Sequence, residues 1–273
     1  MKFLSNIFLL LITAVVLSSC QTTSPGNESD SISEAYGFKK SLVKGGDFWI
    51  TTYQRISDTH QPHVFYIEGD GAAFAGKYRV SNNPTPKKRM LIKLASMDDR
   101  PNVVYIARPC QYTPMALNPT CSSEYWTNKR LSDDSVSALN EVINSINNNL
   151  KFSLIGFSGG GGIVVSIAAR NPLVKDIITI AGNLDHIAFT EFHNVTPMLG
   201  SLNPIDYALQ IKHIPQLHLS GSKDTIIPPF IASKFVEQAS SPCVKQKVYV
   251  GNSHQQGWDK VWKEVYTQRL RCE

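Results

Sequence analysis

Leu154-Ile155-Gly156-Phe157-Ser158-Gly159-Gly160, with Gly161 to Ala169 behind it, is the stretch that decides the fold. Leu154 and Ile155 lead in as a strand, a glycine-flanked serine sits at the turn, and an apolar run leads out as a helix. Residues 156–160 match G-x-S-x-G, a pattern that carries little weight alone because glycine and serine are abundant. Between a strand and a helix it describes a sharp turn holding the serine in a strained, exposed conformation. Gly156 and Gly160 then permit the backbone to approach closely. A phosphate-binding loop is the competing reading, but the lysine it needs is missing and G-x-G-x-x-G does not occur.

Outward from this turn, strand and helix patterns alternate. Phe38–Val43 and Phe48–Ile56 flank Gly45-Gly46 and read as an antiparallel hairpin. Short apolar runs at Val64–Ile67, Val103–Ile106, Phe152–Ile155, Ile177–Ile180, Gln216–Leu219 and Lys247–Val250 read as strands. Between them, Lys87–Met97, Val136–Ile146, Ile163–Arg170 and Ile231–Gln238 read as helices, and Trp258–Leu270 closes the chain as another. Val136, Leu139, Val142, Ile143 and Ile146 recur at helical spacing behind the cap candidates Ser132 and Asp133. A hairpin followed by alternating units implies an α/β fold, with a mostly parallel sheet covered by helices on both faces.

Two further turns complete a chemical set with Ser158. Gly221-Ser222-Lys223-Asp224 follows the strand at Gln216–Leu219, and an acid there is placed to hold a histidine in its working tautomer. Asp185, after the preceding strand, is a rival acid on a less specific spacing. Gly251-Asn252-Ser253-His254 lies between the last strand and the last helix, a slot that no other of the seven histidines occupies. The chain order Ser158, Asp224, His254 is therefore that of a nucleophile, an acid and a base.

The first residues read as an export signal. Lys2 precedes an apolar run from Ile7 to Leu17, and Leu17-Ser18-Ser19-Cys20 resembles the lipobox of bacterial lipoproteins. Residues 1–19 are then a signal peptide and Cys20 the lipidated residue. Residues 20–35, poor in apolar side chains, form a tether, and residues 36–273 form the folded domain. Gln21 in place of Asp implies an outer-membrane lipoprotein facing the periplasm. The remaining cysteines, Cys110, Cys121, Cys243 and Cys272, are even in number, as two disulfides in an oxidising compartment require. Local pairing, 110 with 121 and 243 with 272, is the simplest of three connectivities. No spacing among them fits a metal site, and no cofactor motif occurs. With a net charge of +5, 42% hydrophobic and 18% charged residues and no dense basic block, a nucleic-acid partner is excluded. Oligomeric state is not legible.

The elbow at 156–160, the acid turn at 221–228 and the histidine turn at 251–254 together resemble the α/β-hydrolase superfamily over Phe38 to Leu270. Glu68-Gly69-Asp70-Gly71 and Arg108-Pro109-Cys110-Gln111-Tyr112 resemble segments of poorly characterised bacterial α/β-hydrolase lipoproteins. The resemblance implies a Ser158 nucleophile, a His254 base and an Asp224 orienting acid. It also implies an oxyanion hole from the backbone N–H groups of Gly159 and Asp70. Where many relatives carry His-Gly this chain has Glu68-Gly69, so two carboxylates stand near a developing anion. Either they point away or they bind a cation such as a substrate amine. Residues 183–212 form a longer insertion, with a helical stretch around Asp206 to Leu209, that could be a lid, and Tyr112, Tyr125 and Trp126 are candidates either for a pocket wall or for the core. Three functions follow: an esterase-like hydrolase of carboxylic esters, a peptidase or amidase with the same three residues, or a non-catalytic binding lipoprotein.

Overall fold

The computed structural model describes residues 30–31, 33–76 and 79–272; Cys20 and the signal and tether readings lie almost wholly outside them. Eight strands form one sheet: β1 (Lys39–Gly45), β2 (Phe48–Ile56), β3 (His63–Ile67), β4 (Asn102–Ile106), β5 (Phe152–Phe157), β6 (Val174–Ile180), β7 (Gln216–Gly221) and β8 (Val244–Tyr249). Their order is β1-β2-β4-β3-β5-β6-β7-β8. Only β2 runs against its neighbours, pairing antiparallel with both β1 and β4. The rest of the sheet is parallel.

The central strands are apolar throughout because both of their faces are covered. β3 alternates Val64 and Tyr66 on one face with Phe65 and Ile67 on the other, and all four are buried. One face packs under α2 (Asp133–Ile146), α3 (Gly159–Ala168) and α5 (Pro229–Ala239), and the other under α1 (Met90–Met97) and α6 (Trp258–Thr267). The two edge strands are different. Lys39, Lys40 and Lys44 on β1 and Lys245 and Lys247 on β8 break the apolar pattern, which discourages pairing with another chain.

The connections place the functional end of the molecule. From β3 the chain crosses to β4 through α1, then returns past β3 to β5 through α2 on the opposite face. The direction of winding thus reverses around β3 and β5, and a crevice opens beyond their C-terminal ends. Both disulfides take the local pairing, Cys110–Cys121 and Cys243–Cys272. Such bonds are compatible with an exported protein. Among the described residues no helix is long and apolar enough to cross a membrane.

Several boundaries differ from the sequence reading. α1 begins at Met90 rather than Lys87; Pro84 and Pro86 lie in irregular chain before it, and Lys87 and Lys88 form a bend outside the helix. β8 begins at Val244, three residues early, its polar edge residues having hidden the strand. The closing helix ends at Thr267, where the tail turns toward the Cys272 bridge. Residues 183–212 hold a helix not expected from sequence, α4 (His186–His193), capped by the Asp185 carboxylate accepting the Ala188 N–H at 3.1 Å. The helical stretch expected at 206–209 is a short 3-10 turn, Pro204–Tyr207.

Candidate active site

Ser158 stands directly after β5 with φ 53° and ψ −120°, a conformation that costs a non-glycine residue about 1–3 kcal/mol. The neighbouring glycines make it possible. A Cβ on Gly156 would run into the Gly160 carbonyl oxygen, and one on Gly160 into the carbonyls of Ile67 and Glu68. The Ser158 N–H donates to the Ile180 carbonyl at 3.0 Å, and its own carbonyl accepts from Gly161 and Asn183 at 2.9 Å each. These bonds to β6, α3 and the 183 loop hold the turn against its strain.

Asp224 and His254 arrive from the ends of β7 and β8. The Asp224 Oδ1 accepts the N–H groups of Ile226 and Ile227 at 2.9 and 2.8 Å, leaving Oδ2 for His254 Nδ1 at 2.9 Å. His254 Nε2 is 3.1 Å from Ser158 Oγ. The imidazole packs on Phe157 with ring centroids 5.0 Å apart, and the His254 carbonyl accepts from Trp258 Nε1 at 3.1 Å. All three residues are under a tenth exposed, so little water competes for these bonds. With Nδ1–H committed to Asp224, Nε2 is left as the acceptor facing the hydroxyl, the tautomer that proton abstraction needs.

Asp185 has a different task. It caps α4 and pairs with Lys234 Nζ at 2.9 Å and Asn203 Nδ2 at 3.2 Å. Burial alone would raise its carboxyl, but the Ala188 N–H, Lys234 and Asn203 bring it below the ordinary carboxylate value. Four of the other histidines have contacts elsewhere. His63 stacks on Phe65, His186 reaches the Ser201 carbonyl, and His193 reaches that of Ile226. His218 is buried on β7 against Thr179 Oγ1, and burial depresses it to about 3.

The turn after β3 faces the serine. A Cβ on Gly69 would meet Ser158 Cβ at 3.1 Å and Phe157 Cδ1 at 3.0 Å, and one on Gly159 would overlap the Asp70 carboxylate. Among the described residues neither the Asp70 N–H nor the Gly159 N–H has an acceptor. The carboxylates themselves are taken. Glu68 is buried, its Oε2 accepting Tyr105 OH at 2.6 Å and its Oε1 the Gly69 N–H at 2.8 Å. Burial pushes it up to about 7, against the pull of Tyr105, Gly69 and Arg108. Asp70 is held by Arg130 Nη1 at 2.9 Å and by Arg108 Nη1 at 3.5 Å. Of the two alternatives read from sequence for this turn, the carboxylates are engaged within the protein rather than presented to a ligand amine.

Ser158, His254 and Asp70 open into a cavity of about 370 Å³. Phe157, Phe189, Ile226 and Ile227 form an apolar wall, and Lys87, Lys88 and Arg130 stand at the cavity as well. Tyr112, Tyr125 and Trp126 do not line it. Tyr112 packs on Tyr53 and Tyr105, Tyr125 on Phe48, and Trp126 Nε1 bonds to the Ser81 carbonyl. Phe189 places α4 in the wall, so part of the 183–212 insertion borders the cavity. Arg130 carries no sequence signal, because its partner Asp70 lies 60 residues away. No group of three or more potential metal-ligating residues occurs among the described residues.

No family model matches the chain, and no curated protein matches it in sequence. Solved structures do match. A Mycobacterium tuberculosis puromycin-hydrolyzing peptidase superposes with a TM-score of 0.58 at 15% identity over 85% of this chain. The Pyrococcus furiosus esterase Pf2001 gives 0.58 at 15% identity, covering 86% of this chain and 90% of its own. A serine hydrolase involved in carbazole degradation, CarC, gives 0.57 at 13% identity, covering 85% and 98%. The match spans only 39% of the peptidase's length but nearly all of CarC. Esterases and peptidases thus share this architecture, and with its strand order, its single reversed strand and the turn at Ser158 the chain belongs to the α/β-hydrolase fold.

Proposed function

We propose that the chain is a serine hydrolase that cleaves a carboxylic ester through an acyl-enzyme on Ser158. The observation that carries this reading is the continuous line of hydrogen bonds from Asp224 Oδ2 to His254 Nδ1 and from His254 Nε2 to Ser158 Oγ, at 2.9 and 3.1 Å. Ser158 Oγ attacks the ester carbonyl carbon while its proton passes to His254 Nε2. Asp224 stabilises the imidazolium and fixes its orientation. The tetrahedral oxyanion accepts from the N–H groups of Gly159 and Asp70, each donor worth roughly 3 kcal/mol of barrier. Collapse breaks the bond to the alkoxy oxygen, which leaves as an alcohol with the proton from His254. Water then attacks the acyl-enzyme, giving its proton to His254, and the carboxylic acid departs as Ser158 regains its hydroxyl.

A peptidase with the same residues is the second reading, favoured by the structural likeness to peptidases. An acidic turn would favour it by receiving a free amino terminus, but Arg108 and Arg130 neutralise that turn. A panel of acyl esters and aminoacyl amides tests the choice. Turnover of short acyl esters with little amide cleavage is expected; preferred cleavage of aminoacyl amides would establish the peptidase instead. The lipobox-like segment supports acylation of Cys20 and attachment to the periplasmic face of the outer membrane. Cys20→Ala then releases the protein into the soluble fraction, and persistent membrane association removes the anchor.

A further inference from the structure

Given a nucleophilic Ser158, we infer that the substrate carries an anionic group, a carboxylate or a phosphate, bound by Arg130 through its free Nη2 edge. Arg130 is fixed from two sides. Its Nε donates to the Thr127 carbonyl at 2.7 Å and its Nη1 to Asp70 Oδ2 at 2.9 Å. Its Nη2 has no partner among the described residues and is not among the buried unpartnered atoms, while the residue lines the cavity. The side chain is only 13% exposed, so its charge is weakly screened. A planar guanidinium already held at two nitrogens loses little freedom on accepting a ligand at the third. Nη2 still carries two N–H donors, and charge-assisted bonds from them suit carboxylate and phosphate oxygens.

The other charges at the cavity reinforce this sign. Glu68 has both oxygens committed to Tyr105 and Gly69, and Asp70 has both committed to arginines. Arg108, buried behind Asp70, adds a second cation to the single Asp70 carboxylate. Lys87 and Lys88 are exposed at the cavity and pair with no carboxylate among the described residues. Asp224 sits behind His254 with its oxygens on Ile226, Ile227 and the imidazole. A substrate amine would therefore meet cations first. The apolar wall of Phe157, Phe189, Ile226 and Ile227 takes the hydrocarbon part. A cavity of about 370 Å³, near the lower end of the roughly 300–1,000 Å³ usual for ligand sites, keeps that part short.

Matched phenyl esters test this. Phenyl butyrate is the neutral reference. 4-Carboxyphenyl butyrate and phenyl hydrogen glutarate place a carboxylate on the leaving-group or acyl side, 4-phosphonooxyphenyl butyrate supplies a phosphate, and 4-(aminomethyl)phenyl butyrate supplies a cation. One anionic ester is expected to exceed the neutral one by at least about tenfold in kcat/KM, mostly through KM, with the advantage shrinking in salt. Which ester does so identifies the group and its side. Arg130→Gln should bring the anionic-to-neutral ratio close to one, a ratio in which any general loss from a displaced Asp70 cancels. Arg130→Lys should keep part of it, so the test survives if the glutamine variant fails to fold. Hydrolysis without anionic preference, a preference for the aminomethyl ester, or a preference untouched by Arg130→Gln overturns the inference. Absence of both hydrolysis and fluorophosphonate labelling in folded protein overturns the Ser158 reading, and this one with it.

Discussion

The two sides of the crevice were assembled in different ways. On one side Ser158, Asp224 and His254 each occupy a turn directly after a strand, so each position follows from its own local sequence. On the other side, the turn Glu68–Gly71 takes its character from Tyr105, Arg108 and Arg130, which lie 37, 38 and 60 residues from the groups they bind. Local sequence marks that turn as acidic; its partners neutralise it. Charge in a site is a property of the assembled neighbourhood, whereas the place of a side chain at a strand end is a property of the strand.

The contrast can be broken first at its strongest point. Asp224→Asn removes the acceptor that fixes the His254 tautomer and should lower kcat by about 10³–10⁴. Asp185→Asn keeps a side-chain oxygen to cap α4 but loses the pairing of a buried carboxylate with the half-exposed Lys234, so ester turnover should stay within a few-fold while stability falls by about 1–3 kcal/mol. Steady-state kinetics and urea midpoints of the two variants decide it, and a reversed ranking would move the acid's role to Asp185.

A smaller effect tests the coupling between the two sides. A methyl on Gly159 must displace the Asp70 carboxylate held by Arg108 and Arg130. Gly159→Ala should therefore lower kcat by roughly 10–10²-fold, part of what loss of one oxyanion donor costs. Asp70→Ala made in the same chain should restore some of that loss. Equal loss with and without the Asp70 change would mean that the two turns do not bear on each other.

The acidic turn also makes a prediction about stability. The Glu68 value of about 7 lies above its unfolded value of 4.5, so folding favours the protonated form. Its ionisation costs stability as pH rises from about 4.5 to about 7, on the order of 3 kcal/mol in all, with no further change above that window. Glu68→Gln keeps an acceptor for the Gly69 N–H and removes the titration. Urea midpoints measured at pH 5 and pH 8 should then differ less in the variant than in the parent. Equal pH dependence in both would contradict a buried, neutralisable Glu68.

Much of the fold was legible because its cues are periodic and local. Seven strands and five helices lie where apolar runs and helical spacing put them, within a few residues. α4 escaped because its eight residues carry no clean apolar stripe, and its cap, Asp185, also reads as a candidate acid. β8 was placed late because an edge strand carries lysines where a central one carries valines. Tyr112, Tyr125 and Trp126 stay open between pocket and core on sequence alone, because aromatic type does not say which side of a loop a ring packs on. Arg130 gave no signal at all, since its meaning depends on one carboxylate across the crevice.

The central claim, that the strained serine at the end of β5 is a nucleophile, is tested most directly by a fluorophosphonate probe on the folded protein. A nucleophilic Ser158 takes one covalent adduct, mapped by peptide mass to Ser158 and absent from Ser158→Ala. A folded protein that takes no adduct, or one whose adduct persists in Ser158→Ala, would contradict it.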